Sequence, residues 1–497
     1  MSKIELDKTD RKILAILQAD GRLSNQDVAD QVSLSPSPCL RRIKRLEETG
    51  VIRQYVALLD PAKIGLGLLA YVNVRLEKHS EVAANAAGAA FIKAGDPFSA
   101  TVTAVQLNGA ATPNYGQESV PESVSLSNAV VGGLGLSSNP ALANPAGFSA
   151  FSGGVTTGSA FAWGEVGIIV LTPNVADSDY LGVGNVIGTT SANVGRFTAH
   201  HFSLSGTSLT NRSASSCVPA SSFTYMSEAL QLGFTLTAQN ASNTTTQNYN
   251  SANGFAKLDG SVPGNFGFGA IHIPGVPLNG ARLDTPSASG SWASGIGTFS
   301  ANVGVLRDAT PDGPYSAVNF GIAPSDSDAV ALNSFNLDAD NNGSNERGLI
   351  GSTAIRYGRM RMQNAYGSEL LGLRIPAVVQ YFSGGSFLAN FSDSCTSLPT
   401  PTSAAGLTFF GQTAKNQLAA GETTATLASP VVGGNAGLRL SAPGSGNFGF
   451  LDVELTVPGY LQFNWNGGAA YTANPKARAR FGLHRNPSEF IYLREAY

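Results

Sequence analysis

Apolar positions in the first fifty residues recur with the period of an α-helix. Ile13, Leu14 and Leu17 form a stripe that predicts a first helix. Asp7 stands where it can cap the start of this helix, and Asp10 takes the reciprocal position three residues later. The pattern therefore predicts a helix that begins after Asp7 and ends near the glycine at position 21.

Two further helices follow with their own start signals. Ser24 and Asp27 repeat the reciprocal cap before a short helix. A third helix is predicted for "SPSPCLRRIKRLEETG", with Ser35 as its cap, Pro36 at its first position and Gly50 as its stop. On this helix we expect three apolar residues to pack inward, namely Leu40, Ile43 and Leu46. We expect four basic residues to project outward, namely Arg41, Arg42, Lys44 and Arg45.

A short second helix, a tight turn and a basic third helix predict a helix-turn-helix, which places its third helix in the major groove of DNA. Arginine pairs bidentately with guanine, and a helix N-terminus that carries Ser35 and Ser37 suits a phosphate. The next stretch, "VIRQYVALLDP", alternates like a small β-wing, from which Arg53 reaches the DNA backbone. The competing interpretation is a solvated basic face on an ordinary three-helix bundle.

After residue 83 the pattern changes to short alternating runs between turn residues. In "FLDVELTVP", Leu451, Val453, Leu455 and Val457 share one face. Gly, Asn, Ser and Pro clusters about every 8–12 residues favour β-sandwiches or barrels over a parallel sheet. The predicted fold is therefore multidomain: a small all-α winged helix-turn-helix head followed by mainly antiparallel all-β sandwich-like domains.

A weak internal repeat suggests how the later residues divide. "TPNYGQE" from Thr112 and "TQNYNSA" from Thr246 are each followed by a tryptophan in a strand-like run, Trp163 and Trp292. We expect both tryptophans to be core anchors. The predicted divisions are a DNA-binding head, a junction, two β-sandwich-like modules and a C-terminal β domain, at residues 1–62, 63–94, 95–215, 216–350 and 351–497.

Charge separates the two parts of the chain. The first 81 residues hold 13 Lys and Arg and 11 Asp and Glu, whereas the other 416 hold 18 and 23. Cysteine is sparse: Cys217 and Cys395 could form one disulfide, which would need an oxidising compartment, and Cys39 lies apart in the head. No export signal or membrane span is visible, so the sequence as written predicts a cytoplasmic chain.

Candidate chemistry in the later residues is limited. "DADNNGSNE" places Asp338, Asp340 and Asn342 at the alternate spacing of a calcium loop, with Glu346 at the ninth position. A plain Asx-rich turn is the alternative, because Leu349 stands where an EF-hand needs a glutamate. The adjacent histidines 200 and 201 are predicted to be structural, and no nucleophile elbow is visible. We therefore expect no enzyme and no required cofactor, with Ca²⁺ as the one candidate ion.

The segment "LDKTDRKILAILQADGRLSNQDVADQVSLSPSPCLRRIKRLEETGVIRQYVALLDP" resembles the DNA-binding domain of the Lrp/AsnC family of regulators. The resemblance implies sequence-specific binding of duplex DNA, normally as a dimer. By position it implies contacts from Ser35, Ser37, Arg41, Arg42 and Arg45. "LGLLAYVNVRLEK" resembles the first strand of that family's sensor domain, but the pattern stops near His79. An effector site and the usual dimer interface are therefore expected to be missing.

Most of residues 95–497 resemble MshQ-type MSHA biogenesis proteins, with "RYGRMRMQNAYGSELLGLRIP" at Arg356 as the most specific block. That resemblance implies a non-catalytic surface role with type IV pilus components or surface ligands as partners. Three hypotheses follow. The chain is a DNA-binding regulator with a replaced sensor, an extracellular pilus-associated protein with an unrelated head, or a recombination or assembly product.

Overall fold

The computed structural model separates the chain into two compact units, residues 1–70 with 106–112, and residues 71–105 with 113–497. No helix in the described part of the chain is long and apolar enough to cross a membrane. The structure describes residues 6–55, 71–76, 83–106, 109–182, 184–213, 217–262, 264–273, 275–278, 280–284, 288–399, 407–410, 416–465, 467 and 470–482.

The described residues of the head, 6–55, form three helices, α1 (Lys8–Ala19), α2 (Asn25–Gln31) and α3 (Pro36–Glu48). Both predicted reciprocal caps are confirmed, at Asp7 with Asp10 and at Ser24 with Asp27. Each cap satisfies backbone N–H groups that a helix start leaves unpaired. The buried core of the head contains Ile13, Val28, Ala29, Val32, Cys39, Ile43 and Leu46.

One predicted core position of α3 is wrong. Leu40 is 42% exposed, whereas the preceding Cys39 is fully buried. Cys39, Ile43 and Leu46 follow the spacing of one helix face, four residues and then three. A strict three-residue spacing drifts away from a 3.6-residue turn, and this drift carries Leu40 out of the core. Leu40 therefore lies on the outer side of α3.

The described residues from 71 onward form a β region, in which the helical elements are two short 3₁₀ turns (Gly280–Arg282 and Gly459–Leu461). Its strands in chain order are β1 (Tyr71–Leu76), β2 (Ile92–Lys93), β3 (Phe98–Val105), β4 (Val124–Val130), β5 (Val155–Phe161), β6 (Gly167–Val175), β7 (Val194–Thr198), β8 (His201–Thr210), β9 (Phe223–Tyr225), β10 (Leu230–Gln239), β11 (Gly269–His272), β12 (Val276–Pro277), β13 (Leu283–Asp284), β14 (Ser289–Ala293), β15 (Ile296–Val305), β16 (Tyr315–Ile322), β17 (Gly348–Arg356), β18 (Gly358–Met362), β19 (Ala365–Gly367), β20 (Leu373–Arg374), β21 (Ala377–Ser383), β22 (Ser386–Ala389), β23 (Leu407–Phe410), β24 (Ala425–Thr426), β25 (Arg439–Leu440), β26 (Gly449–Leu455) and β27 (Lys476–Phe481).

These strands pair, mostly antiparallel, into several small sheets, which confirms the predicted mainly antiparallel β class. Parallel pairing joins β2 to β7, β9 to β17 and β19 to β27. The sheet orders are β1-β3-β5, β2-β7-β6-β4, β13-β15-β10-β8 with β14 also on β15, β12-β11-β16-β17-β9, β18-β21-β22, β19-β27-β26-β23 and β20-β25-β24.

Strand β1 covers part of the segment that resembles a sensor strand, and it pairs antiparallel with β3. The strand thus belongs to the β region, while residues 66–70, 77 and 78 of that segment lie outside the described residues. Farther along, β8 pairs with β10. This pairing crosses the predicted division between residues 215 and 216, so one sheet joins the two predicted sandwich-like modules.

Both tryptophans of the internal repeat are core anchors, as predicted. Trp163 is fully buried and Trp292 is 3% exposed. The repeated tyrosines are buried as well: Tyr249 packs edge-on against Trp292, with ring centroids 4.8 Å apart, and Tyr115 packs in the same way on Phe151 at 4.6 Å. The two copies therefore bury the same residue types.

Cys217 and Cys395 form a disulfide across 178 residues of sequence. Beside this cross-link lies Arg212, whose side chain is fully buried. Its guanidinium donates to Glu228 at 3.0 Å, to Asp393 at 2.7 Å and to the hydroxyl of Thr396 at 2.7 Å. The disulfide and this polar cluster fasten the loop after β8 to the loop after β22.

Candidate functional site

The start of α3 presents exposed serines. Ser35 occupies the cap position, but its side chain makes no capping hydrogen bond. Pro36 follows at the first helical position, and Ser37 is exposed one residue later. A helix N-terminus carries partial positive charge, but Pro36 and Pro38 have no backbone N–H, so Ser37 supplies the one N–H among the first three positions of α3. What this end of α3 offers a phosphate is therefore mainly the two exposed serine hydroxyls and the partial charge.

Two of the predicted DNA-contacting arginines reach back to α1 instead of standing free. Arg42 donates to Asp10 at 2.9 Å and also to Asp7, and Arg45 pairs with Asp10. Asp10 itself is fully buried. The backbone N–H of Asp10 and the Arg42 guanidinium lower the pKa of Asp7, and hydrogen bonds to Asp7 and Asp10 raise the pKa of Arg42. These contacts hold α3 against α1.

The remaining basic side chains of α3 face outward. Arg41 and Lys44 are exposed, and neither forms an ion pair with any other described residue. Ser37, Arg41 and Lys44 are spaced by four and then three residues, which places them on one helix face together with the exposed Leu40. α3 therefore presents a mixed basic and apolar face.

Arg53 is exposed just beyond α3, in a stretch without strand structure. The predicted β-wing continues through residues 56–61, which lie outside the described residues. The wing thus stays a prediction, and so does a contact from Arg53.

The predicted calcium loop brings three acidic side chains together. Oxygen atoms of Asp338, Asp340 and Glu346 all lie within 4.8 Å of one another, and no other set of three acidic, His or Cys side chains lies this close in the described ranges. Backbone N–H groups of Asn342 and Gly343 donate to Asp338 at 3.1 and 2.7 Å. Burial raises the pKa of Asp338, but these hydrogen bonds outweigh it and the pKa lies below its usual value.

Some oxygens of this loop are already engaged. The side chain of Asn342 donates to Asp340 at 3.0 Å and accepts the N–H of Ser344 at 2.8 Å. Glu346 accepts the N–H of Ala339 at 2.8 Å through Oε1 and pairs with Arg347, whereas its buried Oε2 has no hydrogen-bond partner. The loop therefore fits the Asx-rich turn as well as a cation site, and both interpretations stay open.

The adjacent histidines contact each other and nearby polar groups. The Nδ1 atoms of His200 and His201 lie 2.8 Å apart, and Nε2 of His201 lies 3.1 Å from the side-chain oxygen of Gln239. Burial lowers the pKa of His200. His201, at the start of β8, thus contacts both the preceding His200 and the end of β10.

Family models match the chain in four stretches. Residues 6–53 match a model described as winged helix-turn-helix DNA-binding. Residues 70–162, 165–348 and 356–496 match models for the second, third and fourth domains of DUF6701. The order of these matches agrees with a helical head followed by a β region.

The head is similar in sequence to parts of bacterial transcriptional regulators. The DNA-binding transcriptional activator DecR of Escherichia coli is 55% identical over 75 residues, which are 15% of this chain and 49% of DecR. The leucine-responsive regulatory protein of Rhizobium meliloti is 48% identical over 79 residues, 16% of this chain and 51% of that protein. The chain thus spans about half the length of the curated relatives it matches.

Among solved structures, a transcriptional regulator from Neisseria meningitidis in complex with L-Met is 52% identical over 16% of this chain and 51% of its own, with a TM-score of 0.14. The sequence matches establish that the head is a winged helix-turn-helix of Lrp/AsnC type. They include nothing that confirms the MshQ resemblance of the later residues.

Proposed function

We propose that this chain is a sequence-specific regulator of transcription, whose head binds duplex DNA and whose β region is non-catalytic. The observation that carries the proposal is the outer face of α3, where Ser37, Leu40, Arg41 and Lys44 are exposed in a helix-turn-helix. In such a domain this helix enters the major groove. Exposed arginine, lysine and leucine side chains there can contact guanine, phosphate and the thymine methyl group.

In this proposal the basic residues of α3 divide into two roles. Ser35, Ser37, Arg41 and Lys44 contact DNA, with Arg53 on the flanking backbone. Arg42 and Arg45 position the helix through Asp10, because their guanidinium groups are already paired with it. The buried carboxylate of Asp10 would destabilise the fold without these partners, so both arginines act by holding α3 in place rather than by contacting DNA.

Fluorescence anisotropy with duplexes selected from a random pool tests this division. The full chain with Arg41→Ala should bind its selected duplex about 1–3 kcal/mol more weakly, the range for loss of a base-reading arginine. Arg22→Ala is the matched control, because the Arg22 side chain is 94% exposed in the turn after α1. Equal binding by Arg41→Ala and the unaltered chain would contradict the proposed recognition face.

A second candidate function is favoured by the disulfide. Cys217–Cys395 lies within the β region, and disulfides persist in oxidising compartments. In this alternative the β region acts at the cell surface in MSHA-type pilus biogenesis or adhesion, as its MshQ resemblance implies, and the head is adventitious. Fractionation of source cells separates the two candidates: a chain found only in the cytosol counts against the surface role, and surface-exposed chain counts against the regulator.

The acidic loop at residues 338–346 is proposed as a Ca²⁺ site that stabilises the β region, without a role in catalysis. Three carboxylates within 4.8 Å of one another support this proposal, since Ca²⁺ binds several oxygen ligands at once. The ion pair between Arg347 and Glu346 argues against a Ca²⁺ site, because the positive charge of Arg347 already compensates part of the negative charge of Glu346.

A further inference from the structure

Arg359 lies among aromatic rings, and no carboxylate of the described residues pairs with it. The guanidinium carbon of Arg359, on β18, lies 3.6 Å from the ring centroid of Phe387, 4.9 Å from Phe463 and 5.1 Å from Trp465. Its Nε donates to the side-chain oxygen of Gln380 at 2.9 Å. Cation–π contacts and this hydrogen bond together fix the plane of the guanidinium.

The outer nitrogens of Arg359 have no acceptor in the described part of the chain. Some other arginines of the β region do have a carboxylate partner: Arg196 forms a bidentate pair with Asp328 at 2.5 Å, and Arg282 pairs with Asp312 at 2.9 Å. Arg307 has none among the described residues, but its outer nitrogens donate to backbone carbonyls, which Arg359 lacks. Burial, and then the nearby charge of Arg361, lower the pKa of Arg359 to about 10. A bound anion would supply the negative charge that this site lacks.

Arg361 lies beside Arg359 on the same face of the sheet. Among the described strands β18 pairs with β21 alone, so it stands at the edge of its sheet. Positions two apart on a strand point to the same side. Arg359 stands opposite Gln380 and Arg361 opposite Val378. Arg361 is exposed, and no described carboxylate pairs with it. The edge strand thus offers two unpaired guanidinium groups side by side.

The rings around Arg359 add an apolar surface to this pair of cations. Phe387, Phe463 and Trp465 are each partly exposed, and the ring centroids of Phe463 and Trp465 lie 5.3 Å apart. The indole nitrogen of Trp465 is buried and has no hydrogen-bond partner among the described residues, so the donors that face solvent here are those of the two arginines. Aromatic faces with a few convergent donors are the usual lining of a site for a small polar ligand.

We propose that Arg359 and Arg361 form the anion-binding part of a surface site for a carboxylate-bearing saccharide, with Phe463 and Trp465 as the stacking surface for the sugar ring. The fixed fork of Arg359 matches the two oxygens of a carboxylate. A long polyanion fits less well, because the residues after position 81 hold 18 basic and 23 acidic side chains and repel it overall. The proposal stands apart from the function of the head, since none of its residues lies there.

Saturation-transfer NMR with the full chain tests the site, with D-glucuronate as the probe and D-glucose as its uncharged analogue. Glucuronate should receive saturation and glucose should not. Arg359→Gln should weaken glucuronate binding roughly ten-fold or more, the loss expected for a charge-assisted hydrogen-bonded pair. Arg478→Gln is the matched control, because Arg478 is an exposed strand arginine that pairs with Asp452 elsewhere.

A second variant tests whether weaker binding is due to misfolding. Arg359→Lys keeps the positive charge among the rings but loses the fork, so it should retain the melting temperature and still bind glucuronate more weakly. Equal binding of glucose and glucuronate, no binding of either, or unchanged binding by both Arg359 variants would overturn the proposal. Displacement of glucuronate by an equal concentration of inorganic phosphate would also overturn it, since the site would then recognise charge alone.

Discussion

Arg212 donates to Asp393 at 2.7 Å across 181 residues of sequence, and both side chains are fully buried. Burial alone would raise the pKa of Asp393, but the Arg212 guanidinium outweighs it and holds the pKa below its usual value. Tyr225 adds a hydrogen bond from its hydroxyl to the same carboxylate at 2.9 Å. The pair therefore joins distant parts of the β region through a buried ion pair that neighbouring hydrogen bonds support.

Asp393→Ala should lower the free energy of unfolding by about 3–5 kcal/mol, because it removes one of the two carboxylates that pair with the buried Arg212 guanidinium and leaves the buried Tyr225 hydroxyl without its acceptor. Denaturant unfolding of the full chain measures the loss. Asp452→Ala is the control: its partner Arg478 is 45% exposed, and an exposed pair contributes less than about 1 kcal/mol. Equal losses for the two variants would show that burial of the pair does not matter.

Reduction of the Cys217–Cys395 disulfide should destabilise the β region by about 2–4 kcal/mol, because the cross-link restricts a long stretch of the unfolded chain. Thermal unfolding with and without a reductant measures this effect. The double variant Cys217→Ser with Cys395→Ser should melt lower and show no response to the reductant. A response that persists in the double variant would assign the effect to something other than this disulfide.

Calcium should raise the melting temperature of the full chain if the acidic loop binds the ion, since binding to the folded state alone stabilises it. Asp340→Asn should abolish the shift, because it removes an exposed carboxylate of the loop. Asp177→Asn, an exposed acidic residue in another turn, is the control that should retain it. A shift of equal size in both variants would favour the plain Asx-rich turn.

A single peptide tests whether the head and the β region belong to one polypeptide. Trypsin should cut after Lys78 and Lys93 and release "HSEVAANAAGAAFIK" from source cells. We expect mass spectrometry to detect this peptide together with peptides from both sides of it. Flanking peptides from both halves without this one would instead indicate two separate proteins.

Local signals in the sequence predicted the head well. A reciprocal cap involves residues three positions apart, so Asp7 with Asp10 and Ser24 with Asp27 could be identified without knowledge of the fold. The pairing of Arg42 and Arg45 with Asp10 could not be predicted, because Asp10 lies more than thirty residues earlier in the chain. Charge pattern alone therefore overstated the number of arginines that are free to contact DNA.

In the β region, too, contacts between residues far apart in the sequence were not predicted. Alternation predicted the β class of this region, because side chains on a strand alternate between two faces. The internal repeat pointed to Trp163 and Trp292 as core anchors, and both are buried. Pairing of Cys217 with Cys395 was left open, and the contact of Arg212 with Asp393 was not predicted, since these contacts join residues more than 170 positions apart. Such contacts depend on how the sheets are arranged, which periodicity does not specify.

The dependence of duplex DNA binding on salt tests the central claim most directly. Anisotropy titrations of the full chain with its selected duplex, at several salt concentrations, should show affinity falling linearly with salt on logarithmic axes, because phosphate contacts release counterions. Lys44→Ala should reduce the slope by about one unit, the effect of one lost phosphate contact. Absent binding, or binding that does not change with salt, would contradict the account of the head as a DNA-binding domain.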